Sequence, residues 1–293
     1  MELQVVAVRR WIEENSPFFT PPVCNKLMHA AQLKVMFVGG PNQREDYHIE
    51  EGEELFFQIE GDMCLKIMER GQRRDIHIKE GEMFLLPARI PHSPQRRAGT
   101  VGLVVERERQ ESELDGLRYY VGGSLEVLFE RWFRCEDLVI QLAPIIKEFF
   151  SSEQCRTKTP LTAAQRVDPP FPLEVEREVE PPLLFSPWLE RQRLNLQEGR
   201  AQCPFQGRYE TQLKIYGAGQ SEGDGEEADT WIWQMEGTSQ VAVGDVTLAL
   251  GPDDSLLIPA GTRYQWKRDA GCTSLYLVQN PSRKLPYNSR WRS

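Results

Sequence analysis

Arg44-Glu45-Asp46-Tyr47-His48-Ile49-Glu50-Glu51-Gly52-Glu53-Glu54 opens a segment that closes with Gly81-Glu82-Met83-Phe84-Leu85-Leu86-Pro87-Ala88-Arg89-Ile90-Pro91-His92-Ser93-Pro94-Gln95-Arg96. The two quoted stretches hold two of the chain's four histidines, His48 and His92, each beside a β-patterned run, and Glu54 follows His48 by six residues. Two imidazoles and one carboxylate that leave coordination positions open form the facial triad of non-haem Fe(II) oxygenases. The segment therefore predicts a metal site of His48, Glu54 and His92. A lone histidine is more often an ordinary polar residue, so the reading rests on the set of three. His48 and Glu54 share parity, and a continuous strand would point both to one face. His92, after the turn from Pro87 to Pro91, is expected at the end of a neighbouring strand.

Around this segment the pattern is that of an all-β barrel or sandwich. Short alternating runs at 53–60, 62–68, 73–78, 82–86 and 100–107 are separated by the turn pairs Gly61-Asp62, Arg70-Gly71 and Glu80-Gly81. Leu33–Val38 precedes them as a strand, after a loop through Thr20-Pro21-Pro22. Helices are predicted over 4–15, over the stretch from Ser124 that carries Leu125, Leu128, Phe129, Trp132 and Phe133, and from Asp137 to Phe150 with a break at Pro144. A Pro-rich, charged stretch from Thr157 to Pro187 has linker composition. It divides the chain into 1–160, with the metal site, a linker over 161–177, and 178–293. Beyond it β patterning returns at 192–196, 208–216, 230–236, 239–243, 246–250, 255–258 and 273–278, while the acidic run Gln220–Glu227 reads as a solvated loop.

The halves repeat. Glu54–Gly61 can be laid on Thr230–Gly237, and Leu85–His92 on Leu257–Tyr264. Thr230 then stands where Glu54 does and Tyr264 where His92 does, so the second copy keeps the strands and loses the ligands.

Composition narrows the function classes. A net charge of −9 argues against a general polyanion or nucleic-acid binder, without excluding an anionic small substrate met by local arginines. Six scattered cysteines with no C-x-x-C pair read as reduced thiols. No apolar run approaches the ~20 residues of a membrane span, and the start lacks a signal-peptide core, so a cytosolic protein is expected.

The two motifs resemble the cupin pattern. His48-x-Glu50-x(3)-Glu54-x(6)-Gly61 matches its first motif with Glu50 at the second histidine position and Asn42 for the leading glycine. Gly81, Pro87 and His92 match the second, with Arg89 for a glycine and Arg96 for an asparagine. The resemblance implies two double-stranded β-helix (jelly-roll) barrels with a few helices, mainly β, the second barrel degenerate. Asn42-x-Arg44-x-Asp46-Tyr47-His48, Glu53-Glu54-x-Phe56-Phe57-Gln58 and Pro91–Arg96 take it further and look like the 3-hydroxyanthranilate 3,4-dioxygenase family, in its two-cupin, monomeric animal form. That family implies Fe(II), O₂ and opening of the aromatic ring of 3-hydroxyanthranilate to 2-amino-3-carboxymuconate semialdehyde, which cyclises to quinolinate on the route to NAD. The resemblance implies an extra cysteine-bound iron near the C-terminus only for bacterial members, and this chain has no C-x-x-C there, so that site is not carried over.

The remaining charges fit that chemistry. Arg96, sharing parity with His92, is suited to grip the substrate carboxylate. Glu106, an acid in an apolar strand, is suited to bond the phenol or amine protons, with Glu54 alongside. Arg44 is suited to steady dioxygen as negative charge develops. The rivals are another metal cupin, such as a sugar-phosphate isomerase or thiol dioxygenase, and a non-catalytic ligand-binding bicupin. His77 reads as an outward strand residue and His29 as structural.

Overall fold

The computed structural model describes residues 3–20, 24–173, 178–206 and 209–285. Pro21 and Pro22 of the expected loop, residues 174–177 of the expected linker and residue 208 of an expected strand lie outside them. The first half is two facing antiparallel sheets. One carries Tyr47–Ile49, His92–Arg96, Met63–Glu69, Gln72–Ile78, Asp115–Tyr120 and Val127–Phe133, and the other Asn25–Ala30, Leu33–Gly39, Glu54–Glu60, Glu82–Leu86 and Val101–Arg107. The second half repeats this with five strands over four. The molecule is mainly β, in two jelly-roll barrels.

The repeat is in register. Glu54 pairs with Leu86 and Thr230 with Ile258; Phe57 pairs with Leu103 and Trp233 with Leu275. Gly61 and Gly237, which end the equivalent strands, both sit at positive φ, where glycine has no Cβ penalty.

The halves interlock. Val5–Ala7 adds to the second half's sheet along Asp254–Leu256, and Leu183–Leu184 adds to the first half's sheet along Glu82–Met83. Between them Leu55, Phe57, Leu103 and Val105 share one apolar core with Trp188, Leu213, Trp231, Trp233 and Leu275. Each of these aromatic or aliphatic side chains is worth roughly 1.5–3 kcal/mol on burial.

Five local expectations are corrected. The stretch from Ser124 is not a helix: Val127–Phe133 is a strand on Asp115–Tyr120. Its apolar residues mimic helical spacing because the strand is covered on one face by helix Leu138–Ser151, where Phe129 meets Tyr119 and Phe149. Residues 192–196 are not a strand but the end of helix Phe185–Gln197, whose Phe185, Trp188, Leu189 and Leu196 are buried at helical spacing. The acidic run is not a free loop, since Gly219–Asp224 pairs along Arg263–Arg268. There the absent Cβ of Gly223 makes room for the Tyr264 ring. The N-terminal helix is shorter than 4–15, because Val5–Ala7 is a strand and Val8–Asn15 the helix. Helix Leu138–Ser151 runs through Pro144. The described cysteines are all free, and no described helix is long and apolar enough to cross a membrane.

Candidate metal centre

His48 and His92 are direct partners across neighbouring antiparallel strands, so their side chains leave the sheet on the same face. Their rings stand 5.3 Å apart, nearly perpendicular. Glu54 arrives from the opposite sheet, as the first residue of Glu54–Glu60. The parity argument for His48 and Glu54 therefore does not describe how they meet. Residues 50–53 turn the chain from one sheet to the other, and the two side chains converge across the barrel. All three are buried, and one ligand atom from each lies within 4.8 Å of the others.

Their surroundings fix how each ring presents its lone pair. The Nδ1 of His92 lies 3.0 Å from the Ile90 carbonyl oxygen, which accepts its proton and leaves Nε2 as the free lone pair. That Nε2 stands 2.8 Å from Glu54 Oε1, yet Oε1 accepts no hydrogen bond. A carboxylate oxygen and an imidazole lone pair so placed share no proton, and a cation between them satisfies both. His48 donates from Nε2 to Asp115 Oδ2 at 2.7 Å, leaving Nδ1 available. This is the carboxylate–histidine arrangement that orients metal-bound imidazoles.

Behind these three side chains, one guanidinium organises three acids. Arg109 reaches Asp115 at 2.8 and 2.9 Å, Glu50 at 2.7 Å and Glu106 at 3.0 Å, all buried. Glu50, Glu54 and Glu106 form a second cluster with oxygens within 4.8 Å. Burial raises the Glu54 carboxyl, and raises Glu50 well above the usual range, with the neighbouring carboxylates adding and Arg109 opposing. Burial tends to raise Asp115 too, but Arg109 and His48 more than offset it and hold Asp115 well below its usual value. Burial lowers His92, favouring its neutral, ligating form. Glu54, added to the three carboxyls held by Arg109, leaves more acids than arginines in this buried cluster, an excess that a divalent cation would balance. The donor set of two imidazoles and a carboxylate fits a transition metal.

The chamber is small, about 50 Å³, and lined by His48, Glu54, His92, Arg44, Arg96 and Glu106, with Leu138 and Leu142 of the helix Leu138–Ser151 on its rim. The sequence-predicted set is thus brought to one chamber. Arg44 is ion-paired with Asp46, and that pair raises its pKa against the opposing effect of burial. Arg96 is different. It is buried, its Nε has no hydrogen-bond partner, and burial lowers it to about 10 against the pull of Glu54. Sequence reasoning missed Arg109 and Asp115. A signal existed in Arg107-x-Arg109 and Glu113-x-Asp115, paired at a six-residue spacing, where Arg107 takes Glu113 as Arg109 takes Asp115.

In the second barrel, Tyr264 and Thr230 occupy the equivalent place. The Tyr264 hydroxyl bonds Tyr276 and Thr230, and burial pushes it up to about 12. Among the described residues both candidate metal clusters lie in the first half.

The family model of 3-hydroxyanthranilic acid dioxygenase matches residues 1–150. The 3-hydroxyanthranilate 3,4-dioxygenase of Homo sapiens is 57% identical over 281 residues, covering 96% of this chain and 98% of that one. The Mus musculus enzyme of the same name is 56% identical over 282 residues, with 96% and 98% covered. Among solved structures, a salicylate 1,2-dioxygenase from Pseudaminobacter salicylatoxidans superimposes with a TM-score of 0.54 at 11% identity, covering 96% of this chain and 85% of that one, a likeness of fold.

Proposed function

The chain belongs to the 3-hydroxyanthranilic acid dioxygenase family, and from that premise we propose that it opens the ring of 3-hydroxyanthranilate with O₂, using Fe(II) held by His48, Glu54 and His92. The product is 2-amino-3-carboxymuconate semialdehyde, the precursor of quinolinate and NAD. When bound, the iron supplies open positions at which substrate and O₂ meet and exchange electrons.

The chain's own residues account for the rest. Arg96, the cation without an anionic partner, receives the substrate carboxylate and so orients the ring, while Glu106 and Glu54 stand where the phenol and amine protons arrive. Arg44, already held by Asp46, presents a fixed positive field toward the side of the chamber where charge develops. Leu138 and Leu142 keep bulk water from the rim, which strengthens each of these charges. We further place the protein in the cytosol as a monomer, without nucleic-acid or membrane partners, and take residues 1–160 as the catalytic part, 161–177 as linker and 178–293 as the metal-free part.

The observation that carries the proposal is the joint presence, in one chamber, of the three-ligand cluster and an unpartnered buried arginine. The test is anaerobic reconstitution with Fe(II), followed by 3-hydroxyanthranilate and air. The ring-opened chromophore should appear only with iron, substrate and O₂ together. No ring opening with iron, together with turnover of a sugar phosphate by the zinc-loaded protein under nitrogen, would point to an isomerase instead.

A further inference from the structure

Outside the metal chamber, on the far side of Arg44, lies a second cavity of about 520 Å³. That is about tenfold the chamber volume and within the ~300–1,000 Å³ usual for small-molecule sites. Its lining is cationic in an acidic chain. Arg44, Lys66, Arg73 and Lys158 face it, against Glu45 as the one lining acid. Arg44 is neutralised by Asp46, but the other three are not ion-paired among the described residues. Lys66 has no polar partner there, Lys158 has only the Cys155 sulfur at 4.0 Å, and Arg73 donates to the Ser124 carbonyl at 2.8 Å.

The remaining wall is aromatic. Tyr47 and Tyr120 meet edge to face at 5.2 Å, and the Arg73 guanidinium lies over both rings at 5.9 and 5.6 Å. Tyr119 lines the same space, with its ring stacked on Phe149. Tyr47 and Tyr119 are buried in bulk, and their hydroxyls have no hydrogen-bond partner among the described residues. Cations without anions beside flat aromatic faces and open hydroxyls match a flat ring bearing a carboxylate.

We propose that this cavity is a second binding site for small aromatic carboxylates, separated from the metal chamber by Arg44. The choice of ligand class rests on the dioxygenase reading, because the substrate itself is such a molecule. The outer site would concentrate it beside the chamber. Its affinity comes chiefly from exposed charge, so it weakens as salt rises.

The probe is 2-aminobenzoate, which has the ring and carboxylate but lacks the phenol, counted by anaerobic equilibrium dialysis on the Fe(II)-loaded protein. Wild type should bind two molecules per chain. Lys66→Glu with Lys158→Glu should weaken one of them at least tenfold, leaving the other and saturated turnover unchanged. Arg96→Ala should remove the inner molecule and keep the outer one. A single bound molecule in wild type, or a second whose affinity is indifferent to the charge reversal and to salt, overturns the proposal. Failure of the dioxygenase reading would instead show as no ring opening, with the outer count in Arg96→Ala unaffected.

Discussion

Replacing Arg96 by methionine separates binding function from stability, because the two are expected to move in opposite directions. The guanidinium is buried without a carboxylate partner, and burial brings it down from 12.5 to about 10. At ~1.4 kcal/mol per pH unit, keeping it charged inside the fold costs about 3 kcal/mol. The sign follows from the direction. A cation whose pKa falls on folding destabilises the fold wherever it is charged, here at every pH below about 10. Methionine keeps much of the aliphatic stem and removes the charge. Arg96→Met should therefore raise the melting temperature of the metal-free protein by a few degrees, at roughly 2–4 °C per kcal/mol for a chain of this size. Substrate binding should fall at least about tenfold, because a charge-assisted bond is worth roughly 1.5–3 kcal/mol. Arg96→Lys should recover part of the binding, lacking the planar fork. Scanning calorimetry and single-turnover titration read the two effects separately. 2-Aminophenol, which has no carboxylate, should be a poor substrate for wild type and lose little more in the variant. A variant that melts lower and binds substrate normally would make Arg96 a structural cation and refute the reasoning.

His92→Ala should bind no iron by metal analysis while retaining its far-UV circular dichroism, and Asp115→Asn should bind it roughly 10–100-fold more weakly through a misoriented His48; tight binding in both would remove the assigned ligand set. Glu113, held by Arg107 and Lys284 down to about 2, contributes stability that is fully present above about pH 4.5 and lost as pH falls toward 2. The unfolding free energies of wild type and Glu113→Gln, read from denaturant titrations, should accordingly differ by about 3 kcal/mol at neutral pH and converge in acid. Glu53→Gln should loosen iron binding several-fold although Glu53 is no ligand, measured by competition with a chelator; unchanged affinity would show that its contacts to the second half do not reach the site.

The barrels, and the convergence of the three proposed ligands, were legible in the sequence because both depend on local patterning. Period-2 runs bounded by glycine give the strands, and His48, Glu54 and His92 sit at fixed distances from those turns. The strand Val127–Phe133 was not legible, since its apolar residues answer to the helix above it as well as to the sheet, and no local period encodes that. Helix Phe185–Gln197 was obscured by the surrounding prolines, although Phe185, Trp188, Leu189 and Leu196 follow a helical face. Arg109 escaped for a different reason. Its charge reads as surface, and only the fold reveals that Asp115, Glu50 and Glu106 arrive from three different segments to satisfy it.

The second barrel, in which Thr230 and Tyr264 stand at the places of Glu54 and His92, acts on the first through the turn that carries the proposed ligand Glu54. Beside that ligand, the Glu53 carboxylate accepts the backbone N–H groups of Glu210 and Thr211 at 3.0 and 2.8 Å. Gln279 donates to the Glu53 carbonyl at 3.0 Å and to the Thr211 hydroxyl at 3.0 Å. Arg107, one residue after Glu106, reaches across to Glu210 as well as Glu113. Each of these bonds is buried, so breaking one leaves an unsatisfied group at a cost of about 1–3 kcal/mol. The turn 50–53 that swings the chain from the histidine sheet to the glutamate sheet is thus fixed from outside its own barrel. A ligand at the first residue of a strand needs such an anchor, because fewer ladder bonds hold a strand end than its middle. The second half therefore supplies rigidity at the point where the proposed ligand set joins two sheets, a role that requires its strands and no metal site of its own.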